Sequence, residues 1–176
     1  MKFIKTPING LFLVEIDEFD DKRGYLAKLF DSKTYAKENL NFNLTQIKYT
    51  YTKSKGTIRG LHMQAKPYEE AKIVHCVKGK IFEVVLDLRP KSKTYGKWYG
   101  REFSEKEKKS LFIPKGFAHG YQSLAKDCNI LYMMSGEFSK PHNIGFRWDD
   151  PYFNITWPLK PTVIAKKDRI WPLFSK

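Results

Sequence analysis

Lys80-Ile81-Phe82-Glu83-Val84-Val85-Leu86-Asp87-Leu88-Arg89 alternates with the two-residue period of an extended strand. Phe82, Val84, Leu86 and Leu88 share one face, which reads as core. Ile81, Glu83, Val85 and Asp87 share the other, where acids mix with apolar groups; that fits a solvated face or the inner wall of a polar cavity. Similar short runs lie on either side, at 10–16, 72–77, 109–113 and 129–134. Turn signals separate them, among them Asn9-Gly10, Arg23-Gly24, Lys55-Gly56, Lys78-Gly79, Tyr95-Gly96 and Ser135-Gly136. Short strands with turns at intervals of about ten residues predict an all-β sandwich or barrel. One short helix is expected over 32–40, with Ser32 as its N-cap. A further turn is expected at Ser104-Glu105-Lys106-Glu107, which has the spacing of a capping box.

The chain has 176 residues and no repeat, low-complexity tract or long linker, so 1–176 reads as a single domain. Its 32 Lys and Arg outnumber 19 Asp and Glu, giving a net charge of +13. Such a surface attracts anions: nucleic acid, lipid headgroups or phosphorylated small molecules. The basic residues are dispersed and no RNA-binding motif is present, so no nucleic-acid partner is expected. With 13 Phe, 10 Tyr and 4 Trp the chain is too aromatic for disorder. No stretch has the length of a membrane span, and Met1 to Pro7 lacks the apolar region of a signal peptide. No membrane partner and a cytoplasmic location are therefore expected. Cys76 and Cys128 form no CxxC pair and read as reduced core thiols.

Three of the four histidines sit in dense, turn-bounded segments: His62, His75 and His119. The Pro114-x-Gly116-x-x-His119 spacing is similar to the second motif of cupins, which are small double-sheet jelly rolls. Metal-binding cupins carry two histidines one residue apart in their first motif. Here the corresponding stretch is His62-Met63-Gln64, which leaves a metal site short of ligands. No metal and no other cofactor are expected.

Several further motifs, in order along nearly the whole chain, resemble the nucleoside-diphosphate-4-keto-sugar 3,5-epimerases (dTDP-4-dehydrorhamnose 3,5-epimerase-like, cupin superfamily). These are Arg59-Gly60-Leu61-His62 followed by Gln64; Ser92, Thr94-Tyr95-Gly96 and Trp98; Ile113-Pro114-Lys115-Gly116-Phe117-Ala118-His119-Gly120; Trp148-Asp149-Asp150-Pro151; and Ile155-Thr156-Trp157-Pro158. The resemblance implies a cupin-type double-stranded jelly roll with one or two short helices. It also implies a homodimer with exchanged N-terminal strands, and a nucleoside-diphosphate sugar as substrate. A ketone at C4 acidifies the C–H bonds at C3 and C5, so inversion needs a base on one face of the ring and an acid on the other. By resemblance His62 is the base, oriented by Asp168; Tyr132 is the opposing acid; Lys72 stabilises the enolate oxygen. His119 is a second pocket histidine. Arg59 and Arg23 contact the diphosphate, Arg23 from the partner chain, and Gln46 lies on the same side.

The chain departs from that pattern in places. Phe138 stands where a pocket tyrosine is usual, which removes a hydroxyl from the sugar side. Lys48 replaces Asn, Lys28 stands where Glu is frequent, and Asn143 where a pocket Glu is common. These changes alter the hydrogen bonding offered to a base, and on them GDP or CDP is expected at least as readily as dTDP, carried by a deoxyhexose or a heptose in surface-polysaccharide precursor synthesis. Residues 50–58 are one longer than the usual spacing. Two alternatives stay open: single-centre epimerisation, mostly at C3, and a non-catalytic sugar-nucleotide-binding jelly roll.

Overall fold

The computed structural model describes residues 1–175. In chain order its strands are β1 (Lys2–Lys5), β2 (Phe12–Glu15), β3 (Asp17–Asp21), β4 (Gly24–Lys28), β5 (Gln46–Thr52), β6 (Ile58–Gln64) and β7 (Lys72–Lys78). They continue as β8 (Lys80–Asp87), β9 (Trp98–Ser104), β10 (Lys109–Ile113), β11 (Phe117–Ser123), β12 (Cys128–Met134) and β13 (Asn143–Gly145). Two short helices are present, α1 (Ser32–Lys37) and α2 (Lys166–Arg169). The strands form a six-stranded sheet, β1-β2-β10-β7-β12-β5, and a five-stranded sheet, β13-β6-β11-β8-β9, with β3 and β4 as a separate hairpin. The named strands pair antiparallel throughout. The architecture is the expected all-β jelly roll.

The alternation in β8 is real and both of its faces are buried: Val84 and Leu86 lie in a hydrophobic core cluster with Phe82 and Leu88 packed against it, as expected, and of the two readings of the mixed face the solvated one fails, since Ile81, Glu83 and Val85 are buried. Ile81 and Val85 point between the sheets, where they join Leu13, Val74, Cys76, Leu111 and Ile130. Val84 and Leu86 face outward and are covered by the irregular C-terminal segment through Phe153, Ile155, Trp157 and Phe174. On the far side of the six-stranded sheet, Tyr35 of α1 and Phe42 pack over Ile73, Phe112 and Met133. The sandwich is thus covered on both outer faces, except along β5, where Ile47, Tyr49 and Tyr51 are exposed. Cys76 and Cys128 are buried free thiols, and no helix is long and apolar enough to cross a membrane.

Two local expectations change. The helix ends at Lys37 rather than residue 40, because Asn39 takes a left-handed turn (φ 58°) and Leu40 N–H closes back onto Tyr35 C=O. Its N-cap is Asp31, not Ser32: the Asp31 carboxylate accepts from Thr34 N–H at 2.8 Å, the position a cap must reach. Residues 104–107 form a turn, with Glu107 N–H donating to Ser104 C=O.

One close approach sets the position of two histidines. Gly60 on β6 and Gly120 on β11 face each other so tightly that a Cβ on Gly60 would lie 2.6 Å from His119 O and 2.8 Å from Gly120 Cα. Gly60 also has φ +104°, where an L side chain is strained. The ladder shifts register between His119 and Tyr121, and His62 pairs directly with His119. Gly60→Ala is expected to lower stability by upwards of about 2 kcal/mol, from backbone strain and overpacking combined, as read from the urea denaturation midpoint.

Candidate active site

A cavity of about 480 Å³ opens between the two sheets. Its chemistry follows from strand alternation. Along β7 the inward side chains are Lys72, Val74 and Cys76; along β12 they are Cys128, Ile130 and Tyr132. The same faces that build the apolar core become polar at one end. There Lys48, Lys72 and Tyr132 line the cavity from the six-stranded sheet, with Tyr132 paired to Lys48 across the β5–β12 ladder. His62 and His119 line it from the five-stranded sheet.

Each polar group is held by a partner. His62 Nε2 lies 2.6 Å from Asp168 Oδ1, and Gly60 N–H donates to Asp168 Oδ2 at 3.4 Å. Asp168 reaches this position because the C-terminal segment runs beside β6, with a bridge between Ile58 and Ile164 and Ile58 N–H donating to Val163 C=O. Burial acts to raise the Asp168 carboxyl, but the hydrogen bond and charge of His62 outweigh it and hold the group below its ordinary value. His119 Nδ1 lies 2.8 Å from Glu83 Oε1. Burial, reinforced by the charges of Lys72 and His62, pushes the His119 imidazole well down, so the neutral ring is favoured. Burial pushes the Glu83 carboxyl well up, against the pull of Lys72. The same cause raises the Tyr132 phenol well above its ordinary value and keeps it protonated. Lys72 is shifted down by burial, opposed by Glu70 at 3.3 Å and by Glu83.

Arg59 also lines the cavity, its guanidinium fixed by Thr52 Oγ1 and Tyr51 C=O, each at 3.0 Å. Phe138 and Asn143 complete the rim, Lys48 Nζ standing 4.7 Å above the Phe138 ring. Gln64 Nε2 donates to Asn143 Oδ1 at 3.3 Å.

Of the residues singled out in the sequence, His62, Lys72, His119, Tyr132, Asp168, Arg59, Lys48, Phe138 and Asn143 come together at this cavity. Three do not line it. Gln46 Nε2 donates to Gly136 C=O, while Arg23 and Lys28 lie on the β3–β4 hairpin, bound to Asp21 and facing Asp31. His75 bonds Ser110 away from the cavity. Glu70 and Glu83 were missed as site residues: the Glu69-Glu70 pair has no distinguishing pattern, and the alternation of β8 marks only the face of Glu83. Among the described residues, no three His, Cys, Asp or Glu side chains are grouped to hold a metal.

With this geometry in place, comparison with known proteins is direct. Residues 5–176 match the model of the family described as dTDP-4-dehydrorhamnose 3,5-epimerase. The chain belongs to that family. It is 37% identical over 173 residues to a dTDP-4-dehydrorhamnose 3,5-epimerase of Sinorhizobium fredii, covering 98% of this chain and 89% of the relative. A crystal structure of the Bacillus anthracis dTDP-4-dehydrorhamnose 3,5-epimerase with TDP and pyrophosphate bound superposes with a TM-score of 0.94 at 33% identity, covering 98% of this chain and 99% of that one. The Legionella pneumophila dTDP-6-deoxy-D-glucose-3,5-epimerase in complex with dTDP-4-keto-L-rhamnose superposes with a TM-score of 0.89 at 31% identity, covering 95% and 89%.

The depressed Asp168 carboxyl makes a prediction about stability. Its contribution is complete above the ordinary carboxyl value of 3.8 and is lost as pH falls through the lower, folded value. Asp168→Asn is therefore expected to be less stable than the native chain at pH 7, by roughly 1.5–3 kcal/mol for a charged hydrogen bond. That gap should begin to narrow only as denaturation is followed below pH 3.8.

Proposed function

We propose that the protein inverts C3 and C5 of a dTDP-linked 4-keto-6-deoxyhexose. The observation that carries this reading is the opposition of proton-transfer groups across one cavity: His62, backed by Asp168 of α2, stands on one sheet and Tyr132 on the other. His62 removes the proton alpha to the ketone, and the C–H electron pair moves into the carbonyl to leave an enolate oxygen. Asp168 fixes the imidazole and favours the imidazolium that forms. Lys72 faces the developing oxyanion. Tyr132 returns its phenolic proton to the opposite face of the carbon. The resting protonation states are restored by exchange with water, so solvent hydrogen enters each inverted centre.

The choice of dTDP follows the names of the relatives. The expectation of GDP or CDP drew on Lys28, Lys48 and Asn143, and of these only Lys48 and Asn143 line the cavity of this chain. Arg59 and Lys167 also line it and suit a diphosphate.

The reading includes a homodimer with exchanged N-terminal strands. The hairpin leaves Phe19, Tyr25 and Leu26 exposed, and the outward face of edge strand β5 leaves Ile47, Tyr49 and Tyr51 exposed. A second copy that lays its hairpin on β5 covers that strand and the Phe19–Leu26 face of the hairpin, and carries Arg23 to its neighbour's cavity.

Proton NMR in D₂O with dTDP-, GDP- and CDP-4-keto-6-deoxyglucose tests the chemistry. Deuterium should enter C3 and C5 of the dTDP sugar fastest, and His62→Asn and Tyr132→Phe should each slow turnover at least about a hundredfold. Entry at C3 alone would make the enzyme single-centre, and no entry with any sugar would favour a binding protein. The shared site has its own test: Arg23→Ala and His62→Asn chains, mixed and re-formed as hybrids, should regain activity that neither shows alone, because one cavity of each hybrid dimer is then intact.

A further inference from the structure

Glu70 plays no part in the mechanism above, yet its side chain is only 6% exposed and lines the same cavity. It lies just ahead of β7, against the turn at Ser135 and Gly136. There Ala71 N–H donates to Ser135 Oγ, and a Cβ on Gly136 would come within 2.9 Å of Glu70 Cβ. One carboxylate oxygen, Oε1, lies 3.3 Å from Lys72 Nζ. The other, Oε2, is buried without a hydrogen-bond partner among the described residues. A buried oxygen left unpaired costs stability, and ion pairing with Lys72 does not require it, because Glu83 also acts on that ammonium. A small turn about the last side-chain torsion, which is broad for glutamate, brings either oxygen to the cavity wall.

We infer that Glu70 and Lys72 form a donor–acceptor couple that reads an α-hydroxy ketone, Lys72 donating to the C4 oxygen and Glu70 accepting the hydroxyl proton at C3. This rests on the 4-keto-sugar reading given above. The two oxygens of an α-hydroxy ketone are neighbours at about hydrogen-bond spacing, comparable to the 3.3 Å between Lys72 Nζ and Glu70 Oε1. In the chair of a 4-keto-6-deoxyglucose the equatorial C3 hydroxyl lies close to the carbonyl plane, and the C3–H bond stands nearly perpendicular to it. Loss of the C3 proton flattens C3 and keeps the oxygens at C3 and C4 side by side in that plane. By gripping both oxygens in that plane the couple holds the C3–H bond in the alignment from which its electron pair enters the carbonyl, so it acts on proton loss at C3. Lys72 sits between the carboxylate and the new oxyanion and offsets their repulsion. Proton loss at C5 leaves C3 tetrahedral and the Glu70 contact unchanged. Glu70 thus acts on one of the two centres.

The test is deuterium entry at C3 and C5 of dTDP-4-keto-6-deoxyglucose, with its 3-deoxy analogue as the control substrate. Glu70→Ala should slow exchange at C3 at least about tenfold and leave C5 within about twofold, while Glu70→Gln, whose amide oxygen still accepts a hydroxyl, should keep more C3 exchange than the alanine variant. On the 3-deoxy analogue, native and Glu70→Ala chains should exchange C5 equally. A measurement on the native protein alone stands beside these: the 3-deoxy analogue should bind at least about tenfold more weakly than the parent sugar. Equal losses at C3 and C5, no loss at either, or equal binding of the two sugars would each overturn the role of Glu70. A native protein that exchanges neither proton of the parent sugar would overturn the 4-keto-sugar reading itself, and the role of Glu70 with it.

Discussion

A charge taken between two packed sheets must find an opposite charge or a hydrogen-bond partner, or it does not stay charged. That constraint governs the arrangement of the cavity. His62 is matched by Asp168, His119 by Glu83 and Lys72 by Glu70, and each partner comes from a different part of the chain. The partners do more than satisfy burial. Asp168 settles which imidazole nitrogen of His62 faces the cavity, and Glu83 does the same for His119 through its Nδ1. The cavity is therefore organised before any ligand arrives, which is the condition under which fixed charges lower a barrier rather than follow it.

The fold and the site share one device. Strand alternation lays apolar side chains between the sheets along most of β7 and β12, then presents Lys72 and Tyr132 at the end where the sheets part. Because the outer faces are also covered away from β5, by α1 on one side and by the C-terminal segment on the other, the covered strands cannot slip by a residue without turning charges into the core. Residue placement at the cavity is consequently fixed by packing far from it.

Much of this was legible in the sequence, for reasons that differ by residue. The strands were readable because turn residues punctuate a two-residue period, as in β8 and β10. What covers the apolar face of β8 was not, since alternation separates two faces without saying what lies on each; the cover comes from Phe153, Ile155, Trp157 and Phe174, in a segment without periodicity. The helix cap slipped by one residue because Asp31 and Ser32 both have capping side chains and only geometry separates them. His62, Lys72, His119 and Tyr132 stood out through their motifs. Asp168, in a generic Lys-Lys-Asp-Arg stretch, was placed by resemblance alone. Arg23 and Lys28 sit on a hairpin apart from both sheets, and a sequence does not say to which copy of the cavity a hairpin belongs.

The His62–Asp168 hydrogen bond joins residues 106 positions apart. Both sheets are complete in the sequence by residue 145, where β13 ends, but Asp168 rides on the segment that follows. During synthesis the β-sandwich has all its strands before the base has its partner. A chain still emerging from the ribosome, or one clipped after β13, has every named strand but lacks both the cover over Val84 and Leu86 and the partner of His62. The last strand and the last element of the chemistry are thereby acquired at different moments in the life of the polypeptide.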